Sequence, residues 1–222
     1  MKGPGASLVQ GLVADIEFDG SLVDSVTNSD ADCADAECPT FAAGLHGEAA
    51  VFDGAATCVH VPWLANWTPS TYTIAAWIAP TMMSGPVVVR EHDTSCPGPE
   101  LDSSDSSVGF VATDKSGGHQ MAWSSSVLTP EAWTHVAIEF DGANQSVFVN
   151  GGCACSIEPT IPLDYADYEV TIGCYPAANT FFAGAIDNVR IYDRALDTEE
   201  LALLAGTSNN TDCSAVCNTV QP

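Results

Sequence analysis

The chain has 222 residues and a formal net charge of −24, from 29 acidic and 5 basic side chains. A surface of this sign repels nucleic-acid phosphates and anionic lipid, which excludes nucleic acid as a partner, and it suits divalent cations or a saline medium. With 46% hydrophobic residues, 18 glycines and 13 prolines, the composition predicts a folded chain of many short elements. No stretch approaches the roughly 18 consecutive apolar residues of a membrane span, so we expect no membrane insertion.

The first predicted element is a strand, because Leu12, Ala14, Ile16 and Phe18 alternate with other residues, two of them acidic. The same two-residue period recurs at 50–52, 58–61, 72–79, 87–89, 108–112, 120–123, 133–140, 146–149, 169–172 and 185–192. Asp-Gly and Asn-Gly turn signals separate most of these runs. The pattern predicts an all-β fold, an antiparallel sandwich or jelly roll.

One segment near the C-terminus, residues 198–205, has the boundary signals of a short helix. Asp197 can cap its first turn, Glu200 completes a capping box, and Gly206 follows where the helix should stop. We expect this helix to pack across one end of the sandwich.

Nine cysteines indicate disulfides, because their spacing includes no C-x2-C zinc pair and a reducing cytosol rarely holds so many. They are Cys33, Cys38, Cys58, Cys96, Cys153, Cys155, Cys174, Cys213 and Cys217. We predict a local bridge between Cys33 and Cys38 and leave the other pairings open. An odd number leaves one thiol that can link chains. The expected organisation is a flexible start (1–7), one domain (8–205) and a disulfide-pinned tail (206–222).

Six segments follow one another in an order found in a known family. They are Phe18-Asp19-Gly20-Ser21 with Asp24-Ser25, Gly47-Glu48-Ala49-Ala50-Val51-Phe52-Asp53-Gly54, Tyr72-Thr73-Ile74-Ala75-Ala76-Trp77-Ile78, Trp133-Thr134-His135-Val136-Ala137, Val147-Phe148-Val149-Asn150-Gly151 and Gly184-Ala185-Ile186-Asp187-Asn188-Val189-Arg190-Ile191-Tyr192-Asp193-Arg194-Ala195-Leu196. Together they resemble the laminin G-like, or concanavalin A-like, jelly-roll domains of secreted proteins. The resemblance implies an antiparallel β-sandwich. It does not decide function, because this fold hosts lectins, adhesion modules and some enzymes.

Related jelly-roll domains suggest a calcium ion between the strand of Asp187 and the first turn. On that resemblance, Asp19 and Asp187 supply side-chain oxygens, and Asp24 or Asp53 and backbone carbonyls complete the shell. Because Asp187 shares the two-residue parity of apolar Val189, we expect it to point toward the core. The alternative is that Asp19 and Asp53 are ordinary turn formers and that an arginine pairs with Asp187.

Two further acidic stretches are weaker candidates for ligands. The loop 30–37 holds four carboxylates but lacks the spacing of an EF-hand, so we interpret it as a solvated charged loop. His92 and Asp93, with Asp102 and Asp105 nearby, could form a calcium-assisted ligand site at the sandwich rim. Such a site resembles the rim sites of some laminin G-like domains.

Carbohydrate recognition needs an exposed aromatic ring for the apolar face of a sugar, with polar groups nearby. Trp63, Trp67 and Trp123 are the predicted platforms, and each has the alternative of packing against the sandwich. Trp77 and Trp133 lie inside strand motifs and are expected in the core. His135 is interpreted as structural.

The sequence holds no recognisable catalytic motif: G-x-S-x-G, H-E-x-x-H and E-x-D-x-x-E are all missing. We therefore predict a non-catalytic recognition module, secreted or at the cell surface, that is stabilised by calcium and binds a glycan or an extracellular protein. The alternative is an assembly module of a surface layer, filament or larger secreted protein, self-associating through an unpaired cysteine.

Overall fold

The computed structural model describes residues 8–90, 98–113, 118–125, 127–161, 168–208 and 211–219, and in them two antiparallel sheets face each other. The first sheet contains β1 (Leu12–Ile16), β2 (Thr40–Ala43), β3 (Glu48–Asp53), β5 (Tyr72–Pro80), β10 (Thr134–Phe140), β11 (Gln145–Val149), β12 (Gly152–Ile157) and β16 (Ala183–Tyr192). The second contains β4 (Val59–Val61), β6 (Gly85–Val89), β7 (Pro99–Ser104), β8 (Ser107–Thr113), β9 (His119–Trp123) and β13 (Val170–Ile172). A small ladder joins β14 (Cys174–Tyr175) to β15 (Thr180–Phe181).

The core lies between the two sheets. Alternate residues of the first sheet, such as Ile74 and Ile78, share one buried cluster with Leu101 and Phe110 of the second. Full burial of a side chain of this size contributes about 1.5–3 kcal/mol. This arrangement confirms the predicted all-β antiparallel sandwich.

The strand order in the first sheet is β12-β11-β10-β5-β16-β3-β2, with β1 also paired to β16. The second sheet runs β4-β13-β6-β7-β8-β9. The long strand β16 is central to the first sheet, because its first half pairs with β3, its second half pairs with β1, and its other side pairs with β5.

A bulge in β16 changes which way Asp187 points. Asp187 lies opposite Trp77, the next pair along the two strands is Arg190 and Ala75, and Asn188 has a left-handed φ of 50°. An inserted residue of this kind reverses the alternation. Ile186 and Val189 therefore both lie in the core, and Asp187 points to the outer face of the first sheet. The prediction that Asp187 points toward the core is wrong for this reason.

The predicted helix is present as α1 (Thr198–Leu204). Its capping box is complete: the Glu200 amide donates to Asp197 Oδ1 at 2.8 Å, and the Asp197 amide donates to Glu200 Oε2 at 3.0 Å. Leu196 and Leu201 pack with Phe148 on the outer face of the first sheet. The helix thus covers a sheet face rather than one end of the sandwich. Within the described ranges, no helix has the length and apolar character needed to cross a membrane.

Asp197→Ala is expected to lower the free energy of unfolding by about 1 kcal/mol, because the Glu200 amide loses its acceptor. Urea denaturation followed by circular dichroism measures the change. Glu199→Gln, at an exposed position in the same turn, is the control and should change stability by less than about 0.5 kcal/mol. Equal losses in the two variants would contradict a specific role for the cap.

Four disulfides join the cysteines that the structure describes. Cys33–Cys38 confirms the predicted local bridge, and Cys58–Cys174 ties the start of β4 to β14. Cys153–Cys213 and Cys155–Cys217 fix the tail to β12. The ninth cysteine, Cys96, lies outside the described residues.

The tail segment 211–219 reaches both sheets. Val216 forms an isolated β-bridge, through the backbone, with Ser156 of β12, an edge strand of the first sheet. Two residues later, Asn218 exchanges backbone hydrogen bonds of 2.8 and 2.9 Å with Trp123 of β9, the last strand of the second sheet. The tail is therefore held by backbone pairing as well as by disulfides.

Candidate functional site

The turn 44–48 between β2 and β3 lies between two of the predicted calcium ligands. The amides of Leu45 and His46 donate to Asp187 Oδ2 at 3.2 and 3.5 Å. On the other side, the Glu48 amide donates to Asp19 Oδ1 at 2.7 Å. One hairpin turn thus brings the neighbourhoods of Asp19 and Asp187 together, although the two are far apart in the chain.

Glycines permit this close approach. A Cβ atom on Gly44 would lie 2.8 Å from Asp187 Oδ2, and one on Gly47 would overlap the Asp19 carboxylate. Gly47 also has a φ of 70°, which side-chain-bearing residues rarely adopt. The glycines in the 44–48 turn are therefore required by the two carboxylates beside it.

Asp187 is fully buried, and its hydrogen-bond donors are amides. Besides the two turn amides, Asn188 Nδ2 donates to Asp187 Oδ1 at 2.7 Å. Burial raises the pKa of Asp187, and the amide hydrogen bonds partly offset this. The proposed pairing with an arginine is not found in the described part of the chain, because Arg190 bonds to Asp15 at 3.0 Å and Arg194 to Glu200 at 2.7 Å.

Asp24 and Asp53 are engaged in their own turns. Asp24 accepts hydrogen bonds from the amides of Asp15, Val26 and Thr27 and from the Thr27 hydroxyl. Asp53 Oδ1 accepts from the three amides that follow in its turn, which lowers the pKa of the carboxyl. These contacts support the turn-former interpretation for Asp53, and they show that both oxygens of Asp24 already accept hydrogen bonds. In the residues covered by the structure, no three His, Cys, Asp or Glu side chains form a group that could hold a metal ion.

A cavity of about 210 Å³ opens beside Asp187 on the outer face of the first sheet. Strand register places His135, Trp77 and Asp187 in one row across β10, β5 and β16, with their side chains on the same face. The cavity lining consists of His46, Ala75, Trp77, His135, Asn188, Arg190 and Leu204. The prediction that Trp77 belongs to the core is corrected by this placement.

His135 is the least satisfied polar group of the cavity. Its side chain is buried at 2% residue exposure, and Nδ1 has no hydrogen-bond partner among the described residues. Its ring meets Trp77 edge to face, with centroids 5.3 Å apart. Burial, helped by the charge of Arg190, lowers the pKa of His135 to about 3, so the ring is neutral at physiological pH. A neutral imidazole beside an indole can hydrogen-bond a hydroxyl group of a ligand.

The predicted tryptophan platforms are largely covered. Trp67 is 9% exposed, and the Arg90 guanidinium lies over its ring at 5.7 Å. Trp123 is 1% exposed and lies against Gly109. Trp63 is half-buried and packs on the core. The structure thus contradicts the prediction that Trp67 and Trp123 are exposed sugar platforms.

The other acidic candidates are dispersed. His92 and Asp93 lie outside the described residues, so the rim site stays a prediction. Asp102 is on β7, and burial raises its pKa to about 7. In the acidic loop, Asp32 pairs with His60 of β4 through backbone hydrogen bonds of 2.8 and 2.7 Å. That loop is anchored to the second sheet.

Sequence comparison gives the family. A laminin G-like family model, described as the concanavalin A-like lectin/glucanases superfamily, matches residues 52–202. The chain belongs to this superfamily. This confirms the family resemblance seen in the six motifs. No curated protein is similar enough in sequence to match.

Solved structures with the same superfamily fold include several binding domains. Domain 4 of AbnA, a GH43 extracellular arabinanase from Geobacillus stearothermophilus solved with arabinotriose, has a TM-score of 0.74 at 21% identity, covering 87% of this chain and 98% of that one. The binding domain of Paraclostridial Mosquitocidal Protein 1 has a TM-score of 0.69 at 15% identity, covering 88% and 52%. The botulinum neurotoxin serotype D ligand-binding domain, solved with N-acetylneuraminic acid, has 0.67 at 11%, covering 92% and 52%. The chain spans about half the length of these two toxin domains, and all three similarities establish the fold alone.

Proposed function

We propose that this superfamily member is a non-catalytic glycan-binding module and that the cavity beside Asp187 is its binding site. The observation that carries the proposal is the cavity lined by both His135 and Trp77, where the buried His135 Nδ1 lacks a protein partner among the described residues. A buried polar atom of this kind is costly unless something bonds to it. A sugar offers both the hydroxyl for the imidazole and an apolar face for the indole.

We propose in addition that calcium stabilises the site. Asp19 and Asp187 would hold the ion, with backbone carbonyls of the 44–48 turn, since calcium takes six to eight oxygen ligands. The support is a buried carboxylate whose described donors are amides and not a basic side chain. The bound ion would supply positive charge beside Asp187. Because His46 belongs both to this turn and to the cavity lining, the ion would fix one wall of the cavity.

The proposed location is secreted or at the cell surface. Four disulfides in the described chain are typical of an oxidising compartment. The similar arabinanase and toxin domains are parts of larger proteins, which fits a recognition module that directs a partner domain or an extracellular protein to a glycan.

The test is binding to an immobilised panel of neutral and acidic glycans, in millimolar calcium and in a chelator. We expect binding to a neutral glycan that the chelator weakens, and Asp187→Asn should reproduce the effect of the chelator. Asp53→Asn, at a turn carboxylate away from the 44–48 turn, is the matched control and should bind as the unmodified protein does. A blank panel from folded protein would overturn the glycan function, and binding indifferent to the chelator would overturn the role of calcium.

An assembly module is the second candidate. The count of cysteines supports it, because the four disulfides use eight of the nine and do not include Cys96. Oligomers that dissociate in reductant, and that the Cys96→Ser variant does not form, would favour assembly. Monomers at all concentrations would contradict it.

A further inference from the structure

We propose that the tail segment 211–219 is a strap that closes one side of the sandwich and that a dithiol reductant releases it. In the oxidised chain, Cys153–Cys213 and Cys155–Cys217 hold the strap against β12. Exchange of these two disulfides with the dithiol frees the strap, while both sheets stay folded.

The strap crosses from one sheet to the other. Its first half runs along β12, where the amides of Cys153 and Ser156 donate to strap carbonyls at 3.1 and 2.9 Å. Val216 and Asn218, which pair with β12 and β9, are two residues apart and so span at most about 7 Å. The edge strands β12 and β9 therefore lie on the same side of the sandwich, and the strap closes that side.

Few non-covalent contacts hold the strap. Its residues are exposed except for Cys217, and Val216 is 81% exposed. The described backbone hydrogen bonds between the strap and the two sheets number four. Ordering the nine residues of the strap costs more conformational entropy than four hydrogen bonds recover, because each bond only replaces a bond to water. The two disulfides are therefore what keeps the strap in place.

The two strap disulfides differ in their exposure. Cys213 is exposed and Cys153 is half-buried, so a thiolate can reach this bridge in the folded protein. Cys155 and Cys217 are 2% and 5% exposed and belong to the core cluster. We expect their bridge to become accessible once the first has opened and the strap has loosened.

Release is a thiol–disulfide exchange. A thiolate of the dithiol attacks one sulfur of Cys153–Cys213, which forms a mixed disulfide and expels the other cysteine as a thiolate. The second thiol of the dithiol then displaces the first cysteine. The dithiol ends as a disulfide, and its two protons end on the two cysteine thiols. The same steps at Cys155–Cys217 free the strap completely.

The two sheets do not depend on the strap. Cys217 is the strap's one residue in the described core cluster, which joins side chains from both sheets. Cys58 and Cys174 are 3% and 0% exposed, so their bridge between the start of β4 and β14 resists the reductant. Release therefore changes one side of the sandwich and not its architecture.

Release also opens a second cavity on the outer face of the first sheet. This cavity has a volume of about 440 Å³, and Cys213 lines it together with Ser146 of β11 and Ser156 of β12. Because Cys213 leaves with the strap, the cavity loses part of its wall. The redox state of the chain thus sets the shape of this cavity.

Treatment of the folded full chain with dithiothreitol, followed by alkylation and peptide mass mapping, tests the proposal. We expect label at all four cysteines of the strap bridges without denaturant, and none at Cys58 or Cys174. Hydrogen exchange followed by NMR then reports release. The amides of Ser156 and Trp123, which donate to strap carbonyls, should lose their protection, while the amides of β5 and β16 keep theirs.

A double variant separates the two ends of the strap. Cys153→Ser with Cys213→Ser should free the Ser156 amide and leave the Trp123 amide protected, because the second bridge still holds the end of the strap. The matched control is Cys33→Ser with Cys38→Ser, which removes a local bridge elsewhere and should leave both amides protected.

Three results would overturn the proposal. Protection of Ser156 and Trp123 that persists after all four strap cysteines are alkylated would show that non-covalent contacts hold the strap. Label at Cys58 and Cys174, with loss of protection in β5 and β16, would show that the whole sandwich opens. Strap cysteines that are labelled only in denaturant would show that a reductant does not reach them in the folded protein.

Discussion

Asp24→Ala is expected to lower the free energy of unfolding by about 3 kcal/mol. The fully buried Asp24 carboxylate accepts four hydrogen bonds, including one of 2.7 Å from the Asp15 amide of β1. Alanine leaves these donors unsatisfied, and each buried donor without a partner costs about 1–3 kcal/mol. Three of the four donors are only partly buried and can be hydrated, which keeps the total below the sum for four fully buried donors.

The loss of unfolding free energy in Asp24→Ala should be the same with calcium and with a chelator, because both oxygens of the Asp24 carboxylate already accept hydrogen bonds from the protein. Chemical denaturation in the two buffers measures it. Asp53→Ala, at an exposed turn with three similar amide bonds, is the control and should cost about 1 kcal/mol. A loss at Asp24 that disappears in chelator would show instead that this carboxylate binds the ion, as the resemblance implies.

Removal of both tail disulfides should produce the largest loss of stability. Cys153–Cys213 and Cys155–Cys217 close segments of 60 and 62 residues. In the chain-entropy account, a bridge of that span stabilises by about 4 kcal/mol, and one of five residues by about 2 kcal/mol. The variant with serine at Cys153, Cys155, Cys213 and Cys217 is therefore expected to unfold at a much lower denaturant concentration than the double serine variant at Cys33 and Cys38.

The comparison between these two variants is also a test of the bridge pattern. Free thiols should be absent at all six positions in the unmodified protein, as measured by mass after alkylation. Equal stability losses in the two variants would contradict a dependence on segment length. A labelled thiol at Cys153 or Cys213 would contradict the pairing.

The sequence predicted the elements whose local pattern is strong. Strands β5, β10 and β16 carry clear alternation, and the Asp197–Glu200 capping box placed α1 closely. Strands β7 and β12 were not predicted, because their residues include proline, aspartate, serine or cysteine and have no clear apolar period. Strand β2 was not predicted because its four residues, Thr-Phe-Ala-Ala, do not alternate between apolar and polar. They are strands because their neighbours in the sheets supply hydrogen-bonding partners, which a local pattern does not contain.

The candidate site was only partly predictable. The carboxylates Asp19 and Asp187 were singled out from the family resemblance, and the structure brings both to the 44–48 turn. The cavity was missed, because it depends on the bulge at Asn188. That bulge turns Asp187 to the outer face, in one row with Trp77 and His135. Two-residue parity cannot anticipate an inserted residue. His135 and Trp77 were interpreted as structural because they lie inside strand motifs of the family.

The two outermost strands of the second sheet are both protected edges. A short segment held by a disulfide pairs with each: Asp32, beside the Cys33–Cys38 loop, with His60 of β4, and Asn218 of the tail with Trp123 of β9. An exposed edge is a template on which another chain can add a strand and aggregate. These covers block strand addition at part of each edge, and reduction of the Cys155–Cys217 bridge would loosen the one at β9. Oxidation therefore guards this sheet against aggregation as well as raising its stability.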